Sequence, residues 1–397
     1  MPRATKDQLA KSARALIDEL AEFERPSASD AERRAGVLIA AQLEAEGCAA
    51  AIECEQAHGT YWWPLGLLTF ASGVAALFRS RLVRIIAGAF TATALADDIS
   101  GGTQWFRRAA LPQRATWNVV AETGDPTARE TIVFVAHHDA ANWSLLFAPQ
   151  IPEFFGERFP AQLERSHTTP PIMFPVFAGP VLTLLSGLTG SNLLRRAAAV
   201  LSLGSAITFA EIGSRSVVPG ANDNLSGVAV LTGLARLLRD EPAPGLRVLL
   251  VSTGSEESFM EGMRGFAKRH FEELPVATTR FVCVDSVGSP TLMQLEGEGM
   301  LRMADYDNEF KAQLSEAAAE IDVELVRGLR FRNATDALIS LQAGYRTLML
   351  GSISRYKAPS NYHWPTDTPE NVDYSSVVDA TLLCERLVRK LASDQPR

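Results

Sequence analysis

The sequence predicts an α/β protein: a three-layer α/β/α sandwich with a mostly parallel mixed sheet, interrupted by two inserted hydrophobic helical hairpins. Three observations carry this reading. Continuous apolar runs at 131–136 and 246–252 suit strands covered on both faces. From residue 227 onward, helical and strand patterns alternate, as they do around a parallel sheet. Four uncharged runs come in two pairs, 65–78 with 85–96 and 171–190 with 197–210, and each pair is joined by a short arginine-bearing tip.

Taken in order, 7–24 and 30–47 read as helices, the first with Leu9, Ala13, Leu16, Ile17 and Leu20 on one face. Pro26, Ser27 and Ser29 separate them, and Ser29 or Asp30 can cap the second. The stretch from Met1 to Glu24 has no apolar core of the kind a secretory signal needs. Gly47 stops the second helix, and 49–53 follows as an edge strand. Further strands are expected at 116–122, 131–136, 246–252, 280–284, 325–327 and 345–350. Helices are expected at 227–238, 261–270, 309–321, 336–343 and 374–391. The body then comes in three pieces, 1–60, 99–165 and 214–397, with the hairpins at 61–98 and 166–213.

Composition narrows the function. The net charge of −8 argues against nucleic acid as the partner. Cys48, Cys54, Cys283 and Cys384 form no C-x-x-C pair, so a zinc–thiolate or redox motif is not expected.

Five loops at strand ends or helix starts carry potential metal ligands, where an open α/β sheet places its sites. They are His137-His138-Asp139; Asp223 within Gly220-Ala221-Asn222-Asp223-Asn224-Leu225-Ser226-Gly227; Glu256-Glu257; Asp285-Ser286-Val287-Gly288; and Tyr362-His363-Trp364-Pro365-Thr366-Asp367. Asp223 alone would read as a helix cap. Imidazoles and carboxylates without thiolates suit catalytic zinc or another divalent cation. Two histidines and three acids can hold two ions if one carboxylate is shared, and Asp223 is the expected bridge. The adjacent pair Glu256-Glu257 then makes sense, one acid ligating and the other moving a proton.

The order H-x-D, G-A-x-D-N-x-S-G, E-E-x-x-x-x-G, V-D-x-V-G and Y-H-x-P-x-D-T resembles the dinuclear zinc aminopeptidases of metallopeptidase clan MH, which also holds glutamate carboxypeptidases and single-zinc glutaminyl cyclases. The resemblance covers the N-terminal helices, 116–139 and 217–391, and leaves the hairpins outside. It implies two zinc ions, His137 and Asp285 on one, Glu257 and His363 on the other, with Asp223 between. Glu256 would be the general base of peptide hydrolysis, and Asp139 would orient His137. His138, the middle residue of H-x-D, receives no ligand role. The implied activity is that of an aminopeptidase on a peptide substrate. A cyclase-like or carboxypeptidase-like activity, or an inactive membrane scaffold, are the alternatives. Asn333 stands where some members carry a tyrosine that stabilises the oxyanion, Ala337 and Arg346 replace a family His and Pro, and Trp364 replaces a small residue.

The hairpins suggest a membrane and contact with lipid. Trp62, Trp63 and Trp105 flank the first as interfacial aromatics do. By apolar length the third run is expected to be long enough to span, and the second and fourth short. Arginines at the tips (Arg79, Arg81, Arg84; Arg195, Arg196) favour cytoplasmic tips and an extracytoplasmic body, while Arg107-Arg108 pull the other way.

Overall fold

The computed structural model describes residues 4–393, so Met1–Arg3 of the amphipathic N-terminal stretch lie outside the described residues. Helices α1 (Lys6–Ala21) and α2 (Asp30–Ala45) open the chain, started by Thr5 in a capping box with Gln8 and by Ser29, which accepts from Glu32 N. Next come β1 (Ala49–Ala57), α3 (Trp62–Leu77), α4 (Arg81–Ile99), α5 (Trp105–Ala110), β2 (Arg114–Gly124) and β3 (Thr131–His137). Two short helices, α6 (Gln150–Arg158) and α7 (Pro160–Arg165), precede α8 (Met173–Thr189) and α9 (Asn192–Gly213). The rest alternates: α10 (Ser226–Asp240), β4 (Arg247–Thr253), α11 (Glu261–His270), β5 (Thr279–Val284), β6 (Thr291–Glu298), β7 (Ala304–Asp305), α12 (Asn308–Glu320), β8 (Val326–Phe331), α13 (Ala337–Gln342), β9 (Arg346–Ile353) and α14 (Tyr374–Ser393).

The sheet runs β1-β2-β4-β3-β5-β9-β6-β7, with β8 added beside β6. Its four central strands, β4, β3, β5 and β9, are parallel. The strands outside them are joined through antiparallel ladders, apart from the parallel β6–β8 pair. Alternate residues of the buried strands face opposite layers. Ile132, Phe134, Val248 and Leu250 pack with α1, α2, α10, α12 and α14. Val133, Val135, Leu249 and Val251 face the other way, onto α11 and the base of the hairpins through Leu65, Leu95 and Phe209. The expected sandwich is therefore present. Strands β6 and β7 and helices α5, α6 and α7 are additions that periodicity did not announce. Cys48 and Cys54 are both free.

The hairpin helices form a four-helix bundle, α3 on α9, α4 on α8 and α8 on α9. Small residues permit the close approach. A Cβ on Gly88 would lie 2.4 Å from Leu184 N, and one on Gly179 2.3 Å from Ser202 Oγ. Ser72 Oγ lies 2.9 Å from Thr183 Oγ1 and accepts from Ser202 Oγ at 3.2 Å, tying three helices together. The tip arginines satisfy chain ends: Arg81 donates to the Gly187 and Leu188 carbonyls, and Arg195 to Ala76 O. The length order expected for the runs is reversed. Among the described residues, α9, at 22 residues, is the one helix long and apolar enough to cross a membrane, whereas α8 has 17. Pro170-Pro171 and the left-handed Gly190 trim α8, while Arg195-Arg196 and Glu211 are simply absorbed into α9.

Candidate metal centre

The five stretches converge at the carboxyl ends of the central strands. His137 ends β3, Glu256-Glu257 follow β4, and Asp285 follows β5. Asp223 sits on the irregular turn before α10, where its φ/ψ are not helical. It does not cap α10; its two oxygens face two imidazoles. Oδ1 lies 3.2 Å from His137 Nε2 and Oδ2 lies 3.2 Å from His363 Nε2. His363 Nε2 is also 3.2 Å from Glu257 Oε1, and His137 Nε2 is 4.0 Å from Asp285 Oδ2. Two triads result, His137/Asp223/Asp285 and Asp223/Glu257/His363, each with donor atoms within 4.8 Å of one another. Glu256 reaches to 3.9 Å from His137 Nε2.

A dense set of buried groups fixes this geometry. Asp139 lies 3.4 Å from His137 Nδ1, and its carboxylate also accepts from Glu256 N, Glu257 N and Ser27 Oγ. It therefore positions the glutamate loop as well as the imidazole. Asp367 accepts from Asn222 N and Asp223 N and so holds the bridging aspartate's loop. Asn222 and Asn224 are not idle turn residues: they receive Gly288 N and Ser286 N, locking the Asp285 loop to the Asp223 loop. Tyr362 stacks on the His363 ring at 3.9 Å, and Phe147 meets it edge-on at 4.7 Å.

Two positioning residues carry no motif. Arg25 is fully buried and donates to the carbonyls of Leu20, Phe23, His138, Pro219 and Gly220, pinning α1 to both metal-site loops. Glu32 accepts from Thr116 Oγ1, Trp117 N, Ala28 N and Ser255 N, which anchors the strand and loop before Glu256. Each reads in sequence as an ordinary exposed charge beside a helix start. His138, as expected, turns away from the cluster, its Nδ1 2.9 Å from Ser252 Oγ.

The electrostatics describe a cluster that lacks positive charge. Burial raises Glu256, and the neighbouring Glu257 carboxylate raises it further. Burial and Asp223 push Asp285 up to about 7. Burial would lower both imidazoles, yet the carboxylates around them prevail: His137 sits well above its usual range, and His363 is raised to about 10. Burial would raise Asp223, but its two histidine partners hold it below the ordinary range. Glu257 Oε1 is buried, and His363 Nε2, 3.2 Å away, does not meet it in hydrogen-bond geometry. Four converging carboxylates, two imidazoles and an orphaned carboxylate oxygen fit one or more divalent cations.

Residues 207–388 match the model of Peptidase family M28. The match includes Asp223, the glutamate pair, Asp285 and His363; His137 lies before it and joins the set through the fold. The sequence comparison with curated proteins gives no match. Among solved structures, a Bacteroides thetaiotaomicron glutaminyl cyclase bound to N-acetylhistamine aligns at TM-score 0.57 and 14% identity, over 96% of this chain and 97% of that one. The aminopeptidase from Aneurinibacillus sp. strain AM-1 aligns at TM-score 0.57 and 13% identity, over 96% and 93%. A zinc aminopeptidase from Bacillus subtilis aligns at TM-score 0.56 and 13% identity, over 96% and 95%. The family match and these folds bear out the clan MH resemblance, and the chain is a zinc-metallopeptidase-like hydrolase.

Proposed function

We propose that the chain is a membrane-anchored exopeptidase, an aminopeptidase, that works with two zinc ions or other divalent cations. The single observation behind this is the placement of the two Asp223 oxygens, each facing one histidine of one triad. His137 and Asp285 would hold one ion, Glu257 and His363 the other, with Asp223 shared. Bound there, the ions would supply Lewis acidity and an acidified water.

The protein's own groups handle the substrate and the protons. Glu256, raised by burial and by Glu257, is suited to take a proton from water and deliver it to the leaving amine. Asp139 keeps Glu256 and Glu257 in place through their backbone N–H groups. Asn333 lines the same cavity, and its side-chain amide is available to the carbonyl oxygen as negative charge develops.

The anchor is the bundle. Its interior holds Ser72, Thr183 and Ser202 together with Ala76, Ala198 and Leu68, while Phe70, Ile86, Val200 and Ile207 on its outside are all more than 45% exposed. That arrangement suits an apolar surrounding. Arg107 is buried in a pair with Asp98 and the tip's Arg84 is buried too, so the cytoplasmic placement of the tips rests on Arg79, Arg81, Arg195 and Arg196 against Arg108.

Release of N-terminal residues from a peptide library, with and without chelator, tests the reaction. Glu256→Gln should lower kcat by about 10²- to 10⁴-fold while folding normally. Undiminished turnover in that variant, or in chelator-treated protein, would overturn the proposal.

A further inference from the structure

We propose that the bundle is part of the substrate site: an apolar groove on α8 and α9 receives a long, unbranched apolar chain attached to the scissile amide. This deepens the hydrolase reading and rests on it.

Three neighbouring cavities share their walls in turn. The metal-site cavity shares Glu256, Glu257, Asn333, Tyr362 and His363 with a middle chamber of about 70 Å³. That chamber in turn shares Tyr61, Phe147, Ile172 and Met173 with a groove of about 280 Å³ between α8 and α9. Shared wall residues thus link the reacting carboxylates to the groove on the bundle.

The groove's chemistry selects its occupant. Its walls are Val176, Leu201, Phe209, Ile212 and similar side chains. The two hydroxyls that its helix α9 contributes are turned back on that helix, Ser205 Oγ to Leu201 O at 2.8 Å and Thr208 Oγ1 to Gly204 O at 3.1 Å, and the Tyr61 phenol belongs to the end shared with the middle chamber. A polar substrate segment would gain no partner from them, whereas an alkyl chain would exchange water for apolar wall. Gly204 leaves a notch: a Cβ built there meets nothing within 4 Å. Among the bundle glycines this one stands apart, since Gly73, Gly88, Gly179 and Gly187 are each occupied by a neighbouring helix.

The class of substrate is therefore a single-chain amphiphile whose amide joins a long alkyl or acyl chain to an amino acid or short peptide. Hydrolysis breaks its C–N bond, water's oxygen goes to the carbonyl carbon, and the amine leaves with a proton. The groove accepts the chain from either side of that bond.

The test uses the full chain in nanodiscs. Alanine dodecylamide and N-dodecanoyl-alanine are compared with alanine ethylamide and N-acetyl-alanine, in wild type, Gly204→Ala and Gly204→Phe. A second readout is displacement of a pyrene-labelled dodecanoyl amide from chelator-treated protein, which needs no turnover. A buried methylene favours binding roughly fourfold, so one twelve-carbon substrate should exceed its two-carbon analogue by at least about tenfold in kcat/KM. Its side of attachment identifies which product carries the chain. Gly204→Phe should abolish that ratio and weaken the probe about tenfold, leaving short substrates within about twofold; Gly204→Ala should change neither. Equal turnover of long and short substrates, or a ratio and probe affinity untouched by Gly204→Phe, overturns the groove. Should wild type cleave none of the four, the hydrolase reading falls, and probe displacement still decides the groove.

Discussion

The body and the bundle are built to opposite rules. In the body, Phe134, Phe266, Phe281 and Phe310 are fully buried. In the bundle, glycines and hydroxyls face inward and Trp63, Phe70, Leu82, Ile86 and Ile207 face outward. Their polar interiors differ too. The body buries charges, Arg25, Glu32, Asp139, Asp367 and Glu298, each tying loops together, while the middle of the bundle buries hydroxyls and its buried charges, Arg84 and Asp98, sit near the two ends of α4. A body folded against water gains by hiding large apolar groups. Helices in an apolar surrounding gain nothing that way and hold together by close contact instead. Yet the two interiors meet, since Leu65, Leu95 and Phe209 of the bundle pack in one cluster with Val133 and Val251 of the sheet.

The sharpest way to break the contrast is to apply each region's rule to the other. Phe134→Ala should cost about 3–5 kcal/mol by leaving a cavity in the body. In the bundle the harmful direction is the reverse: Gly88→Leu drives a side chain into the Leu184 backbone and should separate α4 from α8. Thermal unfolding in nanodiscs, with a crosslink reporting the α4–α8 contact, reads both. A well-folded Gly88→Leu bundle would refute close packing as its glue.

The outward face gives the next effect. Phe70→Lys, at the middle of α3 and 56% exposed, should change stability by less than about 0.5 kcal/mol if that face meets water. In a bilayer it should cost about 3 kcal/mol. The fraction of chain recovered in washed membranes separates the two outcomes.

How much of this was legible in the sequence follows from the same contrast. Strands such as β3 and β4 announced themselves because a continuous apolar run has few other uses. The ligand residues stood out because each sits in a short polar break after such a run. Strand β6 did not, since Gln294, Glu296 and Glu298 interrupt it, although Gln294 and Glu298 are buried by contacts distant in sequence. Arg25 and Glu32 were invisible for a similar reason: their partners lie up to 195 and 223 residues away, and a lone charge carries no pattern. The hairpin runs were legible as helices, but their lengths were not, because charge marks a run's edge only weakly while proline and left-handed glycine end a helix.

A smaller effect distinguishes the buried charges of the body from the hydroxyls of the bundle. Burial raises Glu298 to about 8, against the hydrogen bonds it accepts from Thr335 N and Oγ1. The folded state therefore binds a proton that the unfolded chain releases above about 4.5. That contribution is complete below the unfolded value and is lost at about 1.4 kcal/mol per pH unit as pH rises toward 8. Glu298→Gln should flatten this slope while leaving stability near pH 5 little changed. Identical pH–stability curves for variant and wild type would show that Glu298 is not the proton site.

The least effect belongs to the bundle's hydroxyl triad. Ser72, Thr183 and Ser202 join α3, α8 and α9. Thr183 Oγ1 also reaches Gly179 O at 3.1 Å on its own helix, so losing Ser72 leaves it a partner. Helices separated in an apolar phase would find such partners as well, which keeps the net value of each bond low. A Ser72→Ala/Thr183→Ala double-mutant cycle in nanodiscs should therefore return a coupling of about 0.6 kcal/mol. A coupling of several kcal/mol would mean that the hydroxyls, rather than the glycine contacts beside them, hold the bundle closed.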